Sequence, residues 1–149
     1  MMNVEELTTA AEWREAYAVM RELRTHLALE DYLALLEPMR REGYRLLALR
    51  DDHGAIVALA GIIILTNFYD GRHVYVYDLV TRSDVRSQGY GATLLRQVEA
   101  LARRAGCGKV VLSSGVQRVD AHRFYEQRMG YTRASYVFRK TLSEPPTQE

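Results

Sequence analysis

The chain has 149 residues, close to the commonest domain size and long enough to bury one sizeable core. Its 48% hydrophobic and 26% charged content is ordinary for a globular protein, which excludes an extended disordered chain and confines expected fraying to a tail of residues 143–149. The net charge of +1 is a near-cancellation of 20 basic and 19 acidic side chains, so no broad basic field favours nucleic acid or an anionic membrane.

One domain is expected over residues 1–142, since no Pro/Gly-rich linker, repeat or low-complexity segment divides it. The first residues carry no basic region followed by an apolar run, and the most apolar stretch, residues 55–65, is too short to span a bilayer as a helix. A cytoplasmic protein without a membrane partner is the expectation. Cys107 is the only cysteine, and the four histidines are scattered with no pair at helical ligand spacing, so neither a disulfide nor a metal site is implied.

In chain order, Thr9 followed by Glu12 fits a capping box and predicts a helix whose apolar face is Trp13, Tyr17, Met20 and Leu23. A second helical pattern through Tyr32, Leu33, Leu36 and Met39 ends near Gly43, and Pro38 is expected to kink or shorten it. From Tyr44 the period changes. Residues 44–50, 55–65 and 74–81 read as three antiparallel strands separated by turn signals at residues 51–54 and 67–71. Residues 89–105 follow as a helix, 109–113 as a strand parallel to its predecessor, 120–129 as a helix and 135–142 as a final strand. The fold class is α/β: a central mixed, mostly antiparallel sheet with helices on both faces.

The strongest chemical signal is Arg86-Ser87-Gln88-Gly89-Tyr90-Gly91, which joins a strand to an amphipathic helix. A helix N-terminus offers free N–H groups and a partial positive charge, and Gly89 and Gly91 let an anionic ligand approach the backbone without meeting a Cβ. This is a phosphate cradle, or else a pair of glycines making a tight turn. It is not the phosphate loop of nucleotide hydrolases, which needs a Lys-Ser/Thr pair where this chain has Ala92-Thr93. It also lacks the third glycine of a dinucleotide fingerprint.

The pattern Arg86-x-x-Gly89-x-Gly91 after a strand, followed past the next strand by Ala121-His122-Arg123-Phe124-Tyr125-Glu126 and Gly130-Tyr131, resembles the acyl-CoA signature of the GNAT family of N-acetyltransferases. The resemblance extends over residues 44–142. It implies a GNAT-like fold in which the strand carrying Leu79, Val80 and Thr81 pairs with the pantetheine arm of acetyl-CoA. The backbone of Gln88, Gly89, Tyr90, Gly91 and Ala92 then holds the pyrophosphate, with Arg86 and Ser87 beside it. It also implies that the two parallel strands splay apart, often with a bulge. Tyr125 matches the tyrosine that protonates the leaving thiolate. Such a transfer from a phenol near 10 to a thiol near 8.5 is uphill by roughly 2 kcal/mol. Packing between helix and sheet is the other reading of Tyr125.

Arg118 stands where many members have an asparagine, which leaves a phosphate contact, a place at the acceptor entrance and a solvated helix start all open. Asp120 reads as a helix cap and His122 as a packing residue. Asp78, on the strand before the glycine loop, is the first candidate for the base that takes the proton of an ammonium acceptor. At an ordinary value of about 3.9 it needs burial or a relaying water, and a structural hydrogen bond is the competing role. Strand alternation puts His73, Tyr75 and Tyr77 on the opposite face from Asp78.

The expected reaction is therefore acetyl transfer from acetyl-CoA to a primary amine of a small molecule or peptide by direct attack in a ternary complex. Acceptor recognition is assigned to residues 24–32 and 67–72. A non-catalytic acyl-CoA-binding domain and a pure interaction module stay as competing readings. A homodimer through Tyr136 and Phe138 is a further expectation.

Overall fold

The structure, a computed structural model, describes residues 3–143. It divides into two compact units, one ending at Leu112 and the other beginning at Ser113. The first contains a five-stranded sheet in the order β1-β2-β3-β4-β5, formed by β1 (Asn3–Leu7), β2 (Arg45–Arg50), β3 (Ile56–Asn67), β4 (Gly71–Thr81) and β5 (Lys109–Leu112). Neighbours are antiparallel except β4 and β5, which are parallel. α1 (Ala10–Leu23) and α2 (Leu29–Arg41) precede β2, and α3 (Tyr90–Arg104) connects β4 to β5.

The capping box forms as expected: the Thr9 hydroxyl accepts from the Glu12 N–H, and the Glu12 carboxylate accepts from the Thr9 N–H. Trp13 and Tyr17 then line the side of α1 that packs on the sheet and α2, around a core of Ala16, Val19, Met20, Tyr32, Leu36, Leu46, Ala48, Leu59 and Val80. Leu47 and Leu49 alternate to the other face, toward which α3 turns Leu94, Leu95 and Val98, all buried. Buried on both faces, β3 needs no polar alternation, which explains its continuous apolar run. Pro38 does not end α2, which continues to Arg41.

Two sequence expectations are corrected. β1 was not foreseen, because only Leu7 of its five residues is fully buried and its glutamates face arginines instead: Glu6 pairs with Arg45 at 2.9 Å and Glu5 with Arg50 at 2.6 Å. The final strand over residues 135–142 does not form. Tyr136, Val137 and Phe138 are exposed, and no described strand pairs with the segment. A β-like composition does not make a strand without a partner to take its backbone hydrogen bonds. The expected tail of 143–149 lies, apart from Ser143, outside the described residues.

In the second unit, the expected helix over 120–129 is two pieces, α4 (Val119–Arg123) and a π-helical turn over Phe124–Arg128.

Candidate active site

β4 is the strand on which the candidate residues converge, and its pairing is irregular at one place. Gly61 of β3 faces Asp78, the next residue Ile62 faces Val76, and Tyr77 is left as the extra residue of a bulge. At the same level the parallel pairing with β5 stops, its last partners being Val76 and Leu112. β4 continues from Tyr77 to Thr81 with no paired strand on that side among the described residues, so Leu79, Val80 and Thr81 form a sheet edge of the kind an extended ligand arm pairs with.

The bulge also corrects the alternation argument. Tyr77 stacks on Tyr44, with ring centroids 6.0 Å apart, and the Tyr44 hydroxyl donates to Asp78 Oδ2 at 2.7 Å, so one tyrosine contacts both residues. Tyr75 leans on Tyr77 at 5.4 Å. His73 is buried, with Nδ1 2.8 Å from the Gly71 carbonyl, which ties it to the hairpin turn.

Asp78 is 8% exposed and both of its oxygens are engaged. Besides Tyr44, Arg24 donates through Nε to Oδ1 at 2.9 Å. Arg24 also grips the bulge backbone, donating through Nη2 to the Tyr77 carbonyl at 2.6 Å. Burial and the Asp78 charge together push the Tyr44 phenol well above its ordinary value.

Beyond Thr81 the chain makes a single 3₁₀ turn over Ser83–Val85 and enters the glycine loop. Ser87 and Gly89 both have positive φ, +71° and +82°; Gly89 is the N-cap of α3 and gives it no side-chain cap. The first intrahelical bond runs from the Thr93 N–H to the Gly89 carbonyl, so the N–H groups of Gly89, Tyr90, Gly91 and Ala92 have no partner within the helix. The first turn contains no acidic residue. Arg86 is half-exposed at the loop edge, with Nε donating to the Thr81 carbonyl at 3.2 Å, and Gln88 accepts from the Tyr90 hydroxyl at 3.0 Å. An uncapped helix start with no acid in its first turn fits a pyrophosphate, with Arg86 alongside at 3.9 Å from Glu22.

The remaining candidates lie in the second unit. Tyr125 is buried within the π-helical turn, edge-on to Phe124 at 5.3 Å and near Tyr131 at 6.1 Å. Burial raises its phenol above the ordinary value, with the Arg118 cation pulling the other way. Arg118, not Asp120, is the N-cap of α4; Asp120 instead pairs with Arg123 at 3.3 Å. His122 Nε2 lies 2.8 Å from the Gly115 carbonyl, which ties it to the loop before α4. Sequence reasoning missed Ser114, whose Oγ is buried without a hydrogen-bond partner, because nothing in a lone serine after a strand signals that state.

A bulged strand that loses its parallel neighbour and then leads into an uncapped glycine helix is the arrangement that the resemblance to the acyl-CoA signature implies. The model of the acetyltransferase (GNAT) family matches residues 8–131. The chain is 48% identical over 143 residues, 95% of its length and all of its relative's, to "Uncharacterized N-acetyltransferase YhdJ" of Bacillus subtilis. It is 35% identical to the aminoalkylphosphonate N-acetyltransferase of Salmonella typhimurium over 66% of this chain and 62% of that one. Among solved structures, the aminoglycoside N-acetyltransferase AAC(6')-Iy in complex with CoA superposes with a TM-score of 0.81 over 96% of each chain at 13% identity, which reflects the shared fold. The chain belongs to the GNAT family and is an acyltransferase.

Proposed function

We propose that this protein transfers the acetyl group of acetyl-CoA to a primary amine of a small molecule by direct attack in a ternary complex, in the cytoplasm. The observation that carries the reading is the start of α3: four N–H groups without helical partners, left-handed Ser87 and Gly89, no acid in the first turn, and Arg86 alongside. These groups hold the pyrophosphate, and the open edge of Leu79, Val80 and Thr81 takes the pantetheine arm. When bound, acetyl-CoA supplies the activated acetyl thioester.

Tyr125 gives its proton to the sulfur as the thiolate leaves. Burial makes its phenol a weaker acid than usual, and the Arg118 cation offsets this by favouring the phenolate formed on donation. Asp78, the first choice for the base, accepts one hydrogen bond on each oxygen, from Arg24 and Tyr44, and takes the acceptor's proton through a relaying water if it serves as base. Asp70 is paired with Lys109 at 3.2 Å, while Glu30 and Asp31 stand in the first turn of α2, where they suit a cationic acceptor. Relatives that act on aminoalkylphosphonates and aminoglycosides support a small-molecule amine.

The test is thermal unfolding with and without acetyl-CoA, for the parent and an Arg86→Glu, Gly89→Asp variant. Ligand at about 100 times its dissociation constant adds roughly 2.7 kcal/mol, a shift of several degrees. A parent that shifts beside a folded variant that does not supports the cradle. No shift in either sinks the acetyl-CoA reading.

A further inference from the structure

From the cluster around the β4 bulge we infer that Arg24, Asp78 and Tyr44 form a positioning network that fixes the backbone of residues 77–79 for acyl transfer, with Asp78 as its anchor and not its proton acceptor. This rests on the function proposed above.

The geometry carries it in three steps. First, the network closes on the bulge itself. Arg24, the C-cap residue of α1, holds two consecutive bulge residues with one guanidinium, through the Tyr77 carbonyl and the Asp78 carboxylate. Tyr44, just before β2, takes the other carboxylate oxygen and stacks on Tyr77. The extra residue is thus tied through both its backbone and its ring.

Second, the fold makes room for the network. A Cβ at Gly61, the residue opposite Asp78, would run into the Tyr44 hydroxyl and approach Asp78 Oδ2. Only glycine leaves space for the tyrosine to reach the carboxylate.

Third, the network stands where β4 loses its parallel neighbour and its outward backbone groups turn to the ligand edge. A backbone N–H that polarises an acyl oxygen acts only if it is held in place before the reaction, and removing one such donor typically costs on the order of 10²-fold in rate. One hydrogen bond to each carboxylate oxygen, from Arg24 and from Tyr44, fixes the orientation of Asp78 and suits it to anchor the bulge.

The experiment uses hydroxylamine as the nucleophile with acetyl-CoA, following thiol release. Hydroxylamine is uncharged at neutral pH and needs no base. Arg24→Ala, Tyr44→Phe and Asp78→Asn, each checked for folding by thermal unfolding, are expected to lose about ten-fold or more in kcat. KM for acetyl-CoA should stay within about two-fold, and Arg24→Lys should recover part of the loss. Arg24 is half-exposed, so its variants are readable even if Asp78→Asn does not fold. Full activity of Asp78→Asn on hydroxylamine beside lost activity on an alkylamine overturns the inference and makes Asp78 the base. Unchanged kcat in every folded variant overturns it in favour of a purely structural cluster. A parent that releases no thiol and shows no acetyl-CoA-dependent thermal shift refutes the transferase reading itself, and the inference with it.

Discussion

Gly61→Ala tests the close approach at the bulge most directly, because it adds one methyl group and alters no polar atom. Gly61 is buried in β3, and its new Cβ would collide with the Tyr44 hydroxyl and ring. Backbone on both sides is held in the sheet, so the tyrosine must yield, and its hydrogen bond to Asp78 is lost with the move. Losing a hydrogen bond to a charged group costs about 1.5–3 kcal/mol, and overpacking a tight core costs typically another 1–3. The expected destabilisation is therefore about 2.5–6 kcal/mol, a fall in Tm of roughly 5–24 °C at this chain length. Gly108→Ala is the matched control, since a Cβ there meets nothing within 4 Å and φ is not in the left-handed region; its Tm should move by less than about 2 °C. Urea and thermal unfolding of the two variants beside the parent supply the assay. A Gly61→Ala protein as stable as the control would refute the claim that this glycine exists to admit Tyr44.

Tyr125→Phe should lower kcat by about 10²-fold while leaving KM for acetyl-CoA within about two-fold, as steady-state thiol-release kinetics will show; equal loss in both parameters would point to binding instead. Alkaline stability has a definite sign. Tyr32, Tyr44 and Tyr125 are all raised above their ordinary value, chiefly by burial. Below pH 10 they are neutral in both folded and unfolded chains, whereas above it the unfolded chain releases protons that the fold retains, so Tm should be flat from pH 8 to 9.5 and fall beyond pH 10. Thr9→Ala removes half of the capping box at α1 and should lower Tm by about 2–4 °C without affecting acetyl-CoA binding, measured by calorimetry.

Signals that act over a few residues were legible in the sequence. The Thr9 capping box, the apolar stripe of α3 and the unbroken apolar run of β3 each depend on neighbours within a turn or a strand, and each formed where expected. The glycine loop was legible for the same reason, since a strand-to-helix turn declares itself by composition. What escaped was non-local. β1 exists because its glutamates meet arginines about 40 positions away, and a five-residue segment with one buried side chain carries little pattern of its own. The partners of Asp78 are 54 and 34 residues distant, so the sequence suggested its residue type but not the Arg24 and Tyr44 contacts that hold it. The expected strand at 135–142 failed in the opposite sense, its composition being right and its partner missing.

The occupied state of Asp78 leads to a last expectation, about which acceptors the enzyme prefers. An amine attacks only when uncharged, and an alkylammonium near pKa 10 is almost entirely protonated at pH 7.5. If a base in the site, strong enough to deprotonate every amine of a series once bound, took that proton before attack, amines of different basicity but similar size would react at comparable rates. On the inference that Asp78 only anchors the bulge, no side chain takes the proton, deprotonation precedes attack in water, and kcat/KM should follow the neutral fraction. Fluorinated ethylamines, whose basicity falls step by step with little change in shape, separate the two cases at one pH. A rise of kcat/KM approaching ten-fold for each unit by which the amine's pKa drops toward the assay pH, moderated by its falling nucleophilicity, supports prior deprotonation. A flat series would mean that some group in the site deprotonates the bound ammonium, and the search for that base would then begin with Asp78 and the side chains facing the open edge of β4.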